Sequence, residues 1–251
     1  MKYAVYTGTR NMYKDMTASI KSLLTHVRDI HVYLLIEDDE FPLYLPDCVS
    51  CINVSEQQYF KPGTPNMQSQ FTYMAMLRAA LCHIFPELHK ILAMDSDLII
   101  QHDISELWDL DTGDAYFAAV PEKHRTNNGL VYINAGFVMY NLDRMREGKA
   151  DEIIDVLNRK KFPWVEQDAC SYLCQGYIYE LHGDYNANNF TNHSANPKVI
   201  HYAGNKNWAN EPLIQFYRDQ PWSTLGKWED VDGVLKCSMC GAAAPIGENK
   251  K

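Results

Sequence analysis

The chain opens with apolar runs that alternate with apolar stripes at helical spacing. Residues 2–6 read as a strand, closed by the polar turn Thr7-Gly8-Thr9-Arg10-Asn11. Met16, Ile20, Leu23, Leu24 and Val27 then recur at the spacing of one helix face. A second strand is predicted over 31–36, ended by Glu37-Asp38-Asp39-Glu40, an acidic run that reads as a solvated loop. Residues 49–54 form a third, and Pro62-Gly63-Thr64-Pro65 is loop by turn chemistry. Tyr73, Leu77, Leu81 and Ile84 stripe a second long helix that Pro86 stops, and 91–94 make a central apolar strand. Strands and helices in this alternation predict a parallel sheet with helical crossovers.

Beyond Asp97 the pattern loosens. It predicts strands over 115–120 and 131–140, a helix over 143–159 and a shorter one over 167–173. Strands over 178–181 and 198–201 and a last helix over 211–218 follow. No repeat or linker divides the chain, so the reading is one α/β domain over 1–230 and a tail over 231–251. The tail buries little, and a flexible end, a partner contact and half of a metal clip all stay open for it.

A chain of 251 residues is long enough for a sizeable core. Its 46% hydrophobic and 22% charged residues are those of a globular protein. With 23 basic against 32 acidic residues the net charge is −9, which argues against nonspecific nucleic-acid binding. A nucleotide remains compatible, since one metal and one or two cations neutralise a diphosphate locally. No apolar segment approaches the ~20 residues of a membrane helix, and the start of the chain lacks the apolar core of a signal peptide. Seven dispersed cysteines do not form a secreted disulfide framework. The expectation is a cytoplasmic protein, with peripheral attachment to a membrane left open. Of two Cys-x-x-Cys pairs, Cys48/Cys51 falls in a strand and reads as packing, whereas Cys237/Cys240, followed by Gly241, is undecided as a zinc site.

Candidate chemistry concentrates at Asp95-Ser96-Asp97, two carboxylates where the apolar strand 91–94 leaves its sheet. Open α/β sheets bind ligands at the carboxyl ends of their strands. Hard divalent cations take oxygen ligands, commonly one or two carboxylates plus substrate phosphates. A calcium loop running from Asp95 to Glu106 is rejected, because its fifth and sixth positions are Ile99 and Ile100 rather than an oxygen ligand and a glycine. By itself an Asp-x-Asp is most often a solvated turn; the preceding strand raises a metal-diphosphate site above that.

Further segments accompany the acidic pair in order: Tyr6-Thr7-Gly8-Thr9-Arg10-Asn11-Met12-Tyr13, then Arg78, then Asn134-Ala135-Gly136. Glu166-Gln167-Asp168 and His201-Tyr202-Ala203-Gly204-Asn205-Lys206-Asn207-Trp208 complete the series. Together, from about residue 3 to Trp208, they resemble glycosyltransferase family 8, which includes glycogenin and bacterial lipopolysaccharide galactosyl- and glucosyltransferases. The resemblance implies the GT-A fold, a single Rossmann-like α/β domain with a central mixed, mostly parallel sheet. It implies retaining transfer of a hexose from a UDP-sugar, UDP-glucose or UDP-galactose, to a saccharide or glycolipid acceptor. It also implies Mn²⁺ or Mg²⁺ held by Asp95, Asp97 and His201, and imidazole beside carboxylates favours Mn²⁺. Thr7, Thr9 and Tyr13 match the uridine loop, with Tyr13 able to stack on uracil. Arg78, Ser96, Asn134, Ala135, Gln167, Gly204 and Lys206 match donor-side positions, and Gln167, Asp168 and Glu166 match the catalytic segment.

Alone, each of these residues has a plainer reading. Asn134-Ala135-Gly136 is also a strand bend where a backbone passes close to something, and Glu166-Gln167-Asp168 is also an acidic helix start. Two departures from the family pattern stand out: a His201–Lys206 spacing one residue shorter, and Asn207 in place of proline. Asn205 or Asn207 would then share the role of Lys206. Because the matched catalytic position is an amide, Gln167, a same-face substitution is favoured over a covalent glycosyl intermediate. The alternatives are a catalytically weak sugar-nucleotide-binding protein and, behind it, a nucleotidyltransferase, for which Thr7-Gly8-Thr9-Arg10 is a poor phosphate loop. Acceptor contacts are expected from 122–130 and 186–196. Neither the donor hexose nor the oligomeric state is legible.

Overall fold

The computed structural model describes residues 1–69, 71–126, 129–224, 228–231 and 234–237. Its central sheet has seven strands in the order β3-β2-β1-β4-β7-β6-β8. They are β1 (Lys2–Thr7), β2 (Ile30–Ile36), β3 (Val49–Asn53), β4 (Lys90–Met94), β6 (Phe117–Pro121), β7 (Ile133–Asn141) and β8 (Ile178–Glu180). β1 runs parallel to β2 and β4, β2 to β3, and β6 to β8; β7 alone is antiparallel to its neighbours β4 and β6. This is the mixed, mostly parallel sheet expected. Helix α1 (Tyr13–His26) carries the first crossover.

The strands read as continuous apolar runs because both faces of the sheet are covered. Val5, Ile91 and Ala93 pack in one apolar layer with Leu77, Leu81 and Ile153. Their sequence neighbours Ala4, Tyr6, Leu92 and Met94 pack in the other, against Met16, Ile20 and Leu23 of α1. Cys48 lies just before β3 and Cys51 within it, and both half-buried thiols pack beside that second layer.

Two predicted helices are broken. Over 73–84 the chain forms α-helical turns at Tyr73–Met76 and Leu81–Ile84 joined by a 3-10 turn, Leu77–Ala80, so the stripe was read correctly but not the tightening between. The predicted helix over 143–159 is interrupted at Gly148, whose φ of +102° needs a glycine, and resumes as α2 (Ala150–Arg159). Helices α3 (Val165–Leu173) and α4 (Pro212–Asp219) fall where periodicity placed them.

An element that the pattern did not announce matters more. β5 (Leu98–Ile100) leaves the main sheet and pairs antiparallel with β9 (Val199–His201). Its existence depends on a partner about a hundred residues away, which local periodicity cannot register. Ile99 and Ile200 are buried in a small third cluster with Ala18, Leu213, Ile214 and Tyr217. The Ile100 N–H donates to Ser22 Oγ at 3.0 Å, tying the ribbon to α1. Near the end, Trp228–Val231 and Val234–Cys237 pair antiparallel; Cys240, Gly241 and the rest of the tail lie outside the described residues. Among the described residues no helix is long and apolar enough to cross a membrane.

Ile99→Ala removes most of a wholly buried side chain from the β5–β9 cluster. The expected cost is about 2–5 kcal/mol, each kcal/mol lowering Tm by roughly 2–4 °C in a domain of this size. Thermal unfolding followed by circular dichroism measures it; an unchanged Tm would mean that the ribbon contributes nothing to stability.

Candidate active site

Asp95 stands one residue past β4, and its N–H donates to the Gly136 carbonyl at 2.8 Å, one more rung of the β4–β7 ladder. The Asp97 carbonyl accepts the Tyr202 N–H at 3.0 Å, and Leu98 pairs with His201. Backbone pairing thus delivers three side chains from remote segments to one place. His201 Nε2 lies 3.2 Å from Asp97 Oδ1 and 3.6 Å from Asp95 Oδ2. One ligand atom from each of the three residues lies within 4.8 Å of the others.

Gly136 makes this approach possible. A Cβ there would sit 2.2 Å from His201 Cε1 and 2.8 Å from Asp95 Oδ2, both far inside van der Waals contact. The register of β6 on β7 shifts between Ala119 and Pro121, opposite Val138 and Ile133, so β7 bulges through Asn134-Ala135-Gly136. Bulges re-aim side chains. Here Ala135 faces one apolar layer and Phe137 the other, out of step with a regular pleat. The plainer reading of the motif, a bend where something passes close, is therefore realised, and what passes close is the ring of His201.

The electrostatics are those of a cation site. Burial alone would raise the Asp95 pKa, but the Arg78 guanidinium and His201 outweigh it and hold the carboxyl below the usual range. Burial would lower the His201 pKa; Asp97, then Asp95, overcome this and raise it. Two carboxylate oxygens and one imidazole nitrogen around a shared gap suit a borderline-hard divalent ion. Ser96, between the aspartates, keeps a buried Oγ without a hydrogen-bond partner, as does Arg78 at Nε. The residues present fit a bound cation.

They open onto a cavity of about 640 Å³. Arg78, which a bare sequence reading would leave in solvent, is buried in its wall. Its Nη1 donates to the Ala135 carbonyl at 2.5 Å, its Nη2 pairs with Asp95, and Nη1 lies 3.9 Å from Glu166 Oε1. Burial pushes the Glu166 carboxyl up to about 7, with Arg78 opposing that rise only in part. Gln167 Oε1 accepts the Ala135 N–H at 2.9 Å, and its Nε2 donates to Glu122 Oε1 at 3.3 Å and to Tyr132 Oη at 3.2 Å. Val165, immediately before, holds a φ of +31°, a costly conformation for a β-branched residue at the start of α3.

Several residues of the sequence reading converge on this cavity: Asp95, Asp97, His201, Arg78, Asn134 and Ala135 line it, as do Glu166, Gln167 and Gly204. Others do not. Asp168 turns inward, accepting from Tyr132 Oη at 2.5 Å and from the Trp164 N–H at 2.9 Å, so it braces α3. Thr7 ends β1, and Thr9 donates to Asn11 Oδ1 at 2.6 Å. The Tyr13 ring is packed at 4.8 Å from Phe41, only 2% exposed, with its hydroxyl on Asp38 at 2.8 Å; burial rather than stacking on a base is its observed environment. Lys206 is exposed and off the cavity wall, while Asn205 is engaged with Glu211 at 2.8 Å. Glu122 and Asn186, placed by the sequence only at the starts of the two loops expected to meet the acceptor, are instead buried behind the site. Neither sits in a distinctive motif, and only the bulge of β7 and the return of 186–188 beside β9 bring them inward.

Glycosyltransferases are among the solved structures that share this architecture. A galactosyltransferase, LgtC, crystallised with donor and acceptor sugar analogs, superposes with a TM-score of 0.66 at 15% identity, covering 88% of this chain and 98% of its own. The glycosyltransferase GlyE of Streptococcus pneumoniae TIGR4 gives 0.66 at 20% identity, over 89% of this chain and 62% of that one. The fold is GT-A. In sequence, GlyE of Streptococcus pneumoniae serotype 4 (strain ATCC BAA-334 / TIGR4) is 24% identical over 258 residues, 90% of this chain. General stress protein A of Bacillus subtilis (strain 168) is 24% identical over 199 residues, taking in 63% of this chain and 69% of its own. The sequence model of glycosyl transferase family 8 matches residues 4–211, and the chain belongs to that family. It spans 59% of the length of GlyE.

Gly136→Ala should displace the His201 ring while the sheet survives. Mn²⁺ affinity, read by electron paramagnetic resonance, is expected to fall by about 10–100-fold, as for lost ligand-orienting contacts, with the far-ultraviolet spectrum unchanged. Wild-type affinity in the alanine variant would show that the close approach is not needed.

Proposed function

We propose that this chain is a metal-dependent, retaining glycosyltransferase that moves a hexose, glucose or galactose, from a UDP-sugar to a glycan, lipid-linked or protein acceptor. The observation that carries the reading is the facing of His201 toward Asp95 and Asp97 on the wall of a cavity that Arg78 and Gln167 also line. Membership of family 8 and the likeness to LgtC support it. Asp95, Asp97 and His201 would hold Mn²⁺ or Mg²⁺. Bound there, the ion supplies Lewis-acid charge to a diphosphate leaving group.

The chain's own side chains do the rest. Arg78 neutralises Asp95 and Glu166, so that two carboxylates can share one wall. Gln167 is held by three hydrogen bonds and presents an amide, which is a poor nucleophile at neutral pH. Its oxygen accepts one backbone N–H and retains a second lone pair, suited to positive charge developing at the anomeric carbon. We therefore favour same-face substitution, in which a departing phosphate oxygen takes the acceptor proton. Trapping a covalent glycosyl adduct on Glu166 or Glu122 with a slow donor would overturn that mechanism. Uridine is assigned to the Thr7–Tyr13 turn, with Tyr13 fixing the turn through Asp38. The acceptor is assigned to the side where Arg125 and Phe190, from the two loops expected to form it, line the cavity.

A panel of nucleotide sugars with Mn²⁺, followed by release of nucleoside diphosphate, tests the reading. UDP-glucose or UDP-galactose should be turned over slowly without acceptor; no hydrolysis of any donor, with binding intact, would favour the sugar-nucleotide-binding alternative. Asp97→Asn should abolish metal-dependent turnover without unfolding, and chelator-treated wild type that keeps full activity would contradict the metal role. Gln167→Ala should lower kcat by more than it weakens donor binding, because interactions made in the transition state govern rate. An equal loss in both would leave Gln167 only a donor contact.

A further inference from the structure

The orientation of His201 is set from its far side. Asn186 is wholly buried, and its Oδ1 lies 2.8 Å from His201 Nδ1 and accepts from Asn188 Nδ2 at 3.0 Å. Asn186 Nδ2 donates to Asn134 Oδ1 at 2.9 Å, and Asn134 Nδ2 donates to Glu122 Oε1 at 3.0 Å. The Gly136 N–H also donates to Asn134 Oδ1, at 3.2 Å. The chain of donors has one consistent direction. A backbone N–H only donates, so Asn134 must turn its oxygen to Gly136 and Asn186 and its NH₂ to Glu122. Asn186 must then offer its NH₂ to Asn134, which leaves its oxygen for His201. An acceptor facing Nδ1 requires the proton there and frees Nε2, the nitrogen that faces Asp95 and Asp97.

We propose that Asn186 is a positioning residue that fixes His201 as its Nδ1–H tautomer, and that Asn134, its oxygen held by the Gly136 N–H, sets the direction of the relay. The inference rests on the metal-site reading above. Residues that bind the other ring nitrogen of a ligating histidine commonly fix its tautomer and raise its basicity. The backbone around Asn186 is braced for this. The His201 N–H donates to the Ala187 carbonyl at 2.9 Å, the Ala187 N–H to Val199 at 2.9 Å, and Thr191 Oγ1 to the Asn186 carbonyl at 2.8 Å. Gln167 reaches the same Glu122 oxygen at 3.3 Å, so the cation side and the catalytic amide share one buried carboxylate.

Two variants and one spectrum test the role. Asn186→Leu should weaken Mn²⁺ binding by about 10–100-fold in calorimetry or electron paramagnetic resonance. Asn186→Asp keeps an acceptor toward Nδ1 and should bind Mn²⁺ far more tightly than the leucine variant. In the wild type loaded with diamagnetic Cd²⁺, long-range ¹H–¹⁵N correlations should show His201 protonated at Nδ1 and ligating through Nε2; this needs no variant, so it stands even if Asn186→Leu fails to fold. Ligation through Nδ1, or wild-type Mn²⁺ affinity in Asn186→Leu, would overturn the role of Asn186 alone. A wild type that binds no Mn²⁺ would instead remove the metal reading and the relay's purpose with it.

Discussion

A guanidinium held wholly inside the protein lets acidic groups converge on one cavity. Arg78 touches Asp95, faces Glu166 and bonds the Ala135 carbonyl, thereby linking β4, α3 and β7. Carboxylates removed from water without a partner cost several kcal/mol each. Arg78, with His201, holds the Asp95 carboxyl at the rim below the usual range, while burial pushes Glu166 behind it up to about 7 against the pull of Arg78. The same cation sits in a 3-10 turn rather than a regular helix, and that tightening belongs to the segment that places it. The cavity wall is therefore a set of charges compensated around one guanidinium rather than a row of independent ones.

Backbone pairing then turns chemistry into geometry. β4 continues one rung past its end to reach Asp95, and β5 pairs with β9 so that Leu98 and His201 lie opposite. Neither contact involves a side chain that reacts. The ribbon is stabilised by Ile99 and Ile200 on α1 and α4, in a cluster that shares no residue with the cavity lining. Stability of that outer cluster and placement of the imidazole are therefore one property of the molecule.

How much of this could be read from the chain follows from the range of each signal. Local pattern found the seven strands of the sheet, most of which carry their own apolar run. It found α1, α3 and α4 for the same reason. The breaks at Leu77–Ala80 and Gly148 escaped, since an apolar stripe persists through a tightened or kinked turn. β5 escaped because three apolar residues become a strand only when Val199–His201 lie alongside. At the site, Asp95 and Asp97 announce themselves by adjacency, whereas His201 was singled out through the order of motifs and not by any local property. Glu122 and Asn186 entered only as the ends of two loops expected to meet the acceptor, with nothing local to mark them as buried partners of the site. Tyr13 was singled out by the motif order alone, and its packing against Phe41 comes from the loop after β2, which no local pattern announces.

The bulge in β7 has a consequence for how this strand can change. Residues 137–140 keep time with the pleat of the core, while 133–135 keep a different time. Core and cavity are thus written on one strand in two phases, with Gly136 as the joint between them. A single-residue deletion there would bring the two into step and remove the joint against which the His201 ring packs, while hardly touching the hydrophobic count of the chain. Drift in this segment is therefore confined to replacement in place, and length is the variable it can least tolerate.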